Sequence, residues 1–175
     1  MYFKKPGKEE FLTTLFILIW VILLNIAAIK LGLTAWPMFF TSIFFFLEGV
    51  DLRKLPNIFL GATVGLLMAL ALQAGTYALA PSLGDHPAVF LVLGALLTLT
   101  ILGGAFCPLI FNNFAFAYLT VATIHFDAIS WSAIGNHLLV LWLGGAVIVG
   151  GAVCILRLSV RAFESRAKKS KEEIA

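Results

Sequence analysis

Charged residues are scarce in this sequence, and their scarcity excludes most classes of soluble protein. Only 12% of the 175 residues are charged, whereas 61% are hydrophobic, and the mean hydropathy is +1.03. An ordinary soluble domain has about 25% charged residues, and lipid accepts apolar side chains on every side of a helix. The composition therefore predicts an integral membrane protein.

Cysteine and the motifs of catalysis are also scarce. Neither Cys107 nor Cys154 belongs to a C-x-x-C pair, so the sequence predicts neither a zinc site nor a disulfide framework. It contains no G-x-S-x-G, H-E-x-x-H or P-loop pattern, and no paired carboxylates lie inside an apolar run. The basic residues form no stripe interleaved with aromatics, which argues against nucleic-acid binding. We therefore expect no enzyme activity, no metal site and no cofactor.

Long apolar runs make up most of the chain. A helix needs about 20 mostly apolar residues to cross a bilayer. Five runs meet or nearly meet that length, namely 11–29, 56–80, 88–102, 105–124 and 136–158. A sixth run, 31–50, contains Trp36 and Pro37 and ends near Glu48. The link between the fourth and fifth runs, around Gly103 and Gly104, is so short that we expect a tight helical hairpin there.

The basic residues indicate whether the run at 31–50 also spans. With six spans, 11 of the 12 lysines and arginines lie on the side of the two termini, and only Lys30 lies opposite. Because cytoplasmic segments carry excess Lys and Arg, we predict an all-α bundle of six transmembrane helices with both termini in the cytoplasm. The predicted parts are a cytoplasmic N-terminus at 1–10, the bundle at 11–158 and a basic cytoplasmic tail at 159–175, which can lie along anionic lipid.

Prolines and glycines suggest a weak internal repeat. Pro37 in the second span and Pro108 in the fifth are the expected helix breaks. Small residues let helix backbones approach closely, within one chain or between subunits of a homo-oligomer. The predicted packing glycines are Gly61, Gly65, Gly144 and Gly145. Two inverted three-helix halves, a plan common in transporters, would match this order; chance similarity between apolar segments would explain it equally well.

The polar residues inside the apolar runs are the candidate functional groups. In the stretch CPLIFNNFAFAY, Asn112 and Asn113 carry amides that lipid cannot satisfy. These amides either hold the bundle together by hydrogen bonds across helices or line a solute path at the break near Pro108. Adjacent helical residues point about 100° apart, so we expect at most one of the two to face a narrow path. The other candidates for the path are Asn25, Gln73 and Thr41.

The absence of charge inside the spans favours a passive function. No predicted span has a charged residue near its middle, whereas ion-coupled transporters usually have one. Three histidines, His86, His125 and His137, fall toward the predicted outer face, and their spacing matches no metal motif. We expect Trp36 and Trp131 to lie there too, as interfacial anchors.

The stretch AWPMFFTSIFFFLEG, followed by LPNIFLGATVGLLMAL, resembles the YcdZ-like family of small bacterial inner-membrane proteins. The order of a tryptophan-bearing span, a basic loop and a G-x-x-x-G span is also similar to the membrane half of aromatic-acid exporters. The sequence does not contain the long cytoplasmic domain of those exporters, which argues against active efflux. Neither resemblance supplies catalytic residues.

Together these features predict a function at the lipid bilayer. We expect a permease or channel for a small neutral or weakly charged solute. The alternative is a non-transporting scaffold or accessory subunit, in which the same polar groups are structural and the glycine faces bind a partner.

Overall fold

The computed structural model describes residues 7–172, together with their side chains except at 164 and 166–172. Every regular element in this part is helical. The α-helices are α1 (Lys8–Lys30), α2 (Trp36–Leu47), α3 (Leu55–Leu83), α4 (Asp85–Phe106), α5 (Asn113–Ala122), α6 (Trp131–Leu139) and α7 (Gly145–Glu172). Short 3₁₀ turns at Leu52–Lys54 and Thr123–Ala128 precede α3 and follow α5, and a π-helical turn at Val140–Gly144 joins α6 to α7 without a break. The outermost parts of the predicted tails, 1–6 and 173–175, lie outside the described residues.

Four helices are long and apolar enough to cross a membrane. They are Lys8–Lys30, Leu52–Leu83, Asp85–Phe106 and Trp131–Phe163. Many leucine, isoleucine and phenylalanine side chains of α1 and α4 are exposed, an arrangement that is costly in water and favourable in lipid. The chain is thus an all-helical protein whose surface is consistent with a membrane protein. The two remaining helices are shorter, with 12 residues in α2 and 10 in α5.

The central helix of the bundle is α3, which packs most extensively on α5 and α4. Asn57 near the start of α3 accepts a hydrogen bond from Asn112, which begins α5. Farther along, Gln73 of α3 donates to the carbonyl of Phe126, just beyond α5. The two helices therefore run parallel, and their common end points toward the 3₁₀ turn at Thr123–Ala128.

The turn between α4 and α5 differs from the prediction. Gly103 and Gly104 lie inside α4, which continues to Phe106, and the chain reverses in the non-helical segment 107–112. The prediction of a turn at the two glycines is wrong because their missing side chains make room for packing: the ring of Phe111 lies against Gly103. Consequently α5 begins later than the predicted span at 105–124.

The two prolines expected to break helices occupy different positions. Pro37 lies in the first turn of α2. Backbone N–H groups in the first turn have no partner within the helix, so the N–H that proline lacks costs no hydrogen bond there. Pro108 lies in the non-helical segment between α4 and α5. Pro37 therefore begins a helix, whereas Pro108 separates two.

Candidate functional site

A cluster of hydroxyl groups lies in the centre of the bundle. The hydroxyls of Tyr118 on α5 and Thr41 on α2 are 2.9 Å apart, and both contact the carbonyl of Pro37, at 2.5 Å and 2.9 Å. The Tyr118 and Thr41 side chains are fully buried. A buried phenol needs a hydrogen-bond partner, and this cluster supplies two. It therefore links α2 to α5 through polar groups that lipid cannot reach.

Trp36 packs on Tyr118, whose hydroxyl belongs to this cluster. The centroid of its ring system lies 5.4 Å from that of Tyr118 and 5.2 Å from that of His137 on α6. Because Trp36 is the first residue of α2, the start of this helix brings the indole between α5 and α6. The expected interfacial anchor is thus half-buried and packed between two aromatic side chains, whereas Trp131 is 76% exposed.

A cavity of about 370 Å³ lies on the other side of Trp36. Its polar lining consists of Thr34, Trp36, His125 and His137, and its apolar lining comes from α5, from α6 and from the segment between them. Neither Asp, Glu, Lys nor Arg is among its lining residues. Other cavities lie along α1, and their walls are mostly apolar, as expected for grooves that lipid chains fill. The cavity at Trp36 is therefore the best candidate for a solute site.

Backbone irregularities bring the two histidines of this cavity to one place. His125 lies in the 3₁₀ turn after α5, at a residue with non-helical backbone angles (φ −111°, ψ 65°). His137 follows on α6, which begins after the side chain of Ser130 caps the amide of Ala133. The Nδ1 atom of His137 is buried and has no hydrogen-bond partner within residues 7–172. The third histidine, His86, is exposed at the start of α4.

Asn112 occupies a structural position at the start of α5. Its Oδ1 accepts hydrogen bonds from the amides of Phe114 and Ala115, at 3.0 and 3.1 Å, which makes it the N-cap of the helix. Its Nδ2 donates to the carbonyls of Asn57 and Pro108, at 3.1 and 3.2 Å. One side chain thus satisfies the free amides of a helix terminus and ties α5 to α3.

The other predicted path residues lie apart from one another. Asn113 is exposed, and within the described part its side chain makes no hydrogen bond. Asn25 donates to the Val21 carbonyl of its own helix, and Gln73 supports the turn after α5 through its bond to the Phe126 carbonyl. Only Thr41 belongs to the central cluster. The structure therefore does not bring Asn112, Asn113, Asn25, Gln73 and Thr41 to one site.

Each of the four predicted packing glycines faces another element closely. Gly61 lies against the side chain of Asn112, and Gly65 lies against the carbonyl of Ala115. Gly144 and Gly145, which are adjacent in the chain, pack against side chains of α2 and α3. A Cβ added to Gly144 would lie 2.9 Å from Met38 Sδ, and one added to Gly145 would lie 3.1 Å from the Phe59 ring. These contacts lie within one chain.

The loop between α2 and α3 concentrates exposed charge. Arg53 donates to both carboxylate oxygens of Asp51, with Nε–Oδ1 and Nη2–Oδ2 distances of 3.0 and 3.1 Å. The hydrogen bond from the Arg53 side chain lowers the pKa of Asp51. Lys54 lies 3.9 Å from Glu48. Asn57, near this loop, contacts Asn112, so the charged loop is at the opposite end of α3 from the turn that carries His125.

Sequence reasoning missed Tyr118 and underestimated Trp36. A tyrosine within the apolar run FAFAY is a signal in itself, because its hydroxyl must find a partner when it is buried. No sequence signal shows that His125 and His137 line the same cavity, since His125 lies at a kink in the backbone. Comparisons of the chain with protein-family models, with curated proteins and with solved structures found no match.

Proposed function

We propose that this protein is a membrane permease or channel for a small neutral or weakly charged solute. The observation that carries the proposal is the cavity of about 370 Å³, which Trp36 lines. The Trp36 ring packs on that of Tyr118, whose hydroxyl contacts Thr41. A site with an apolar wall and a few converging polar groups is typical of small-molecule binding. In this proposal the cavity is the entrance of the solute path, and Trp36 separates it from the buried hydroxyls.

The proposed setting is a bacterial inner membrane, crossed six times with both termini in the cytoplasm. The charges at Arg53 and Lys54 support this orientation, since positive residues favour the cytoplasmic side. The cavity lies at the opposite end of the bundle from these charges, and would therefore open to the outside. The short helices α2 and α5 meet at the hydroxyl cluster, an arrangement that supports a path near the middle of the membrane.

Solute-driven swelling of proteoliposomes tests this function. We expect the protein to increase the rate of swelling with small neutral solutes relative to protein-free liposomes. Ala133→Trp adds an indole to a residue that lines the cavity, and should reduce that rate several-fold. Ala78→Trp, at an exposed position of α3, is the matched control and should leave the rate unchanged. Absence of swelling with a folded protein would contradict the proposal, as would equal effects of the two variants.

A membrane scaffold or accessory subunit is the second candidate. The observation that favours it is the use of three predicted path residues in structural hydrogen bonds. Asn112 caps α5, Gln73 supports the turn after α5, and Asn25 bonds to its own helix. Two results together would establish this alternative: the protein supports no swelling, and it is recovered from its native membrane with a stoichiometric partner chain. The partner chain can be a second copy of the protein itself, in a homo-oligomer.

A further inference from the structure

The hydrogen-bonding groups of the cavity form an uncharged set. Trp36 offers an indole N–H, Thr34 offers a hydroxyl, and His125 and His137 offer imidazoles that each carry one donor and one acceptor when neutral. The indoles of Trp20 and Trp142 donate to the Ile148 carbonyl and to the Thr63 hydroxyl. The indole N–H of Trp36, in contrast, donates to no group within residues 7–172.

The apolar part of the lining lies on two neighbouring helices and the segment between them. It consists of Val121, Ala122, Ala128, Ile129, Ala133 and Ile134. A solute that fills this space must therefore present an apolar surface to these residues and a polar group to the indole and the imidazoles. The closed wall at Trp36, which rests on the buried ring of Tyr118, limits the length of such a solute.

The cost of desolvation distinguishes among polar groups. A charged group moved from water into a partly enclosed site loses hydration, and only a fixed opposite charge or several hydrogen bonds compensate for the loss. None of the lining residues is Lys, Arg, Asp or Glu, so the lining offers no carboxylate, ammonium or guanidinium group to a charged solute. An uncharged polar group loses less hydration and finds both donors and acceptors here.

We propose that the cavity at Trp36 binds an uncharged solute with a donor and an acceptor at one end of a small apolar body, as in a primary carboxamide. The indole N–H of Trp36 donates to the carbonyl oxygen, and an imidazole nitrogen accepts an N–H of the amide. The apolar body packs against the lining residues of α5 and α6. This inference rests on the proposed function, because it names the class of solute that enters the path.

The three histidines provide a direct test, because the chain contains only His86, His125 and His137. The full-length protein, with isotope-labelled imidazoles, is placed in lipid nanodiscs at pH 7.5, and its histidine NMR signals are assigned with His→Gln variants. Three probes with the same branched apolar body are titrated: isobutyramide, isobutyrate and isobutylammonium. We expect isobutyramide to shift the signals of His125 and His137, while His86, which is exposed outside the cavity, serves as the internal control.

The affinities of the three probes, and the effect of one variant on the affinity for isobutyramide, test the proposal. Isobutyramide should bind at least about tenfold more tightly than either ion, and Trp36→Phe, which keeps an aromatic ring but lacks the N–H, should weaken it about threefold to tenfold. Equal or tighter binding of isobutyrate would overturn the proposal, because the cavity would then be an anion-binding site. Equal shifts at His86, or no shift at any histidine, would also overturn it.

The result remains distinguishable from that of the swelling assay. Histidine shifts specific to the cavity, without any solute permeability, would leave the inference standing and refute the permease. Swelling with carboxamides, without shifts at His125 and His137, would refute the inference and leave the permease standing.

Discussion

The replacement Asn112→Ala tests the structural role of Asn112 at the start of α5. Oδ1 of Asn112 accepts hydrogen bonds from the amides of Phe114 and Ala115, and Nδ2 donates to the Asn57 carbonyl. Alanine retains none of these bonds. We therefore expect Asn112→Ala to destabilise the start of α5 and its contact with α3.

The size of the effect follows from the bonds that are lost. Loss of an N-cap side chain costs about 0.5–2 kcal/mol, and loss of a further interhelical hydrogen bond costs about 0.5–1.5 kcal/mol. We expect the free energy of unfolding to fall by about 2–3 kcal/mol. Asn112→Asp keeps the oxygen acceptor of the cap but sets a carboxylate oxygen against the carbonyls of Asn57 and Pro108. It should therefore also lower the free energy of unfolding.

Unfolding by SDS in mixed detergent micelles, followed by far-UV circular dichroism, provides the measurement. The neighbour Asn113 is exposed, and its side chain makes no hydrogen bond in the described part of the chain. Asn113→Ala should therefore change the free energy of unfolding by less than about 0.5 kcal/mol. If Asn113→Ala is as destabilising as Asn112→Ala, the assignment of the cap to Asn112 is wrong.

Four further replacements address the packing of helices and the hydroxyl cluster. Gly65→Ala should lower the free energy of unfolding by about 2–3 kcal/mol, because its Cβ would collide with a backbone carbonyl of α5. In contrast, Gly94→Ala, on an open face of α4, should raise the free energy of unfolding by about 0.5–1 kcal/mol. Unfolding in SDS measures both variants, and equal effects of the two would refute the close contact between α3 and α5. Tyr118→Phe should lower the same free energy by about 1 kcal/mol. The double variant Tyr118→Phe/Thr41→Val should lose less free energy of unfolding than the sum of the two single losses, because the two hydroxyls share one hydrogen-bond network. Additive losses in this double-mutant cycle would argue against the shared hydrogen bond.

The helical class and the long apolar helices could be predicted from sequence because they depend on composition and run length. The position of the turn near Gly103 could not be predicted in the same way. Glycine in an apolar helix serves either a turn or a close contact, and only the packing of Phe111 on Gly103 distinguishes the two. Asn112, directly before an apolar run, has the pattern of an N-cap, but the span predicted at 105–124 did not use it and began too early.

The candidate site was less accessible to sequence reasoning because it depends on irregular backbone. Polar residues in apolar runs indicated Thr41, but its partner Tyr118 is 77 residues away. Trp36 matched the pattern of an interfacial anchor, and nothing in the sequence shows that its ring packs on His137. The cavity is lined by His125, which lies at a kink in the backbone. No local residue pattern predicts this kink.

Access to the cavity is the most direct test of the account. Thr34→Cys places a thiol in the cavity lining, and Ser82→Cys places one at an exposed position outside it. Both variants are made with Cys107 and Cys154 replaced by alanine and reconstituted in liposomes. Swelling with isobutyramide is then measured before and after a membrane-impermeant thiol reagent is added outside. We expect the reagent to block the swelling that depends on Thr34→Cys protein whose cavity faces outward, and to leave the swelling with Ser82→Cys unchanged. Unchanged swelling, with the outward-facing fraction of the Thr34→Cys protein fully labelled, would contradict this expectation.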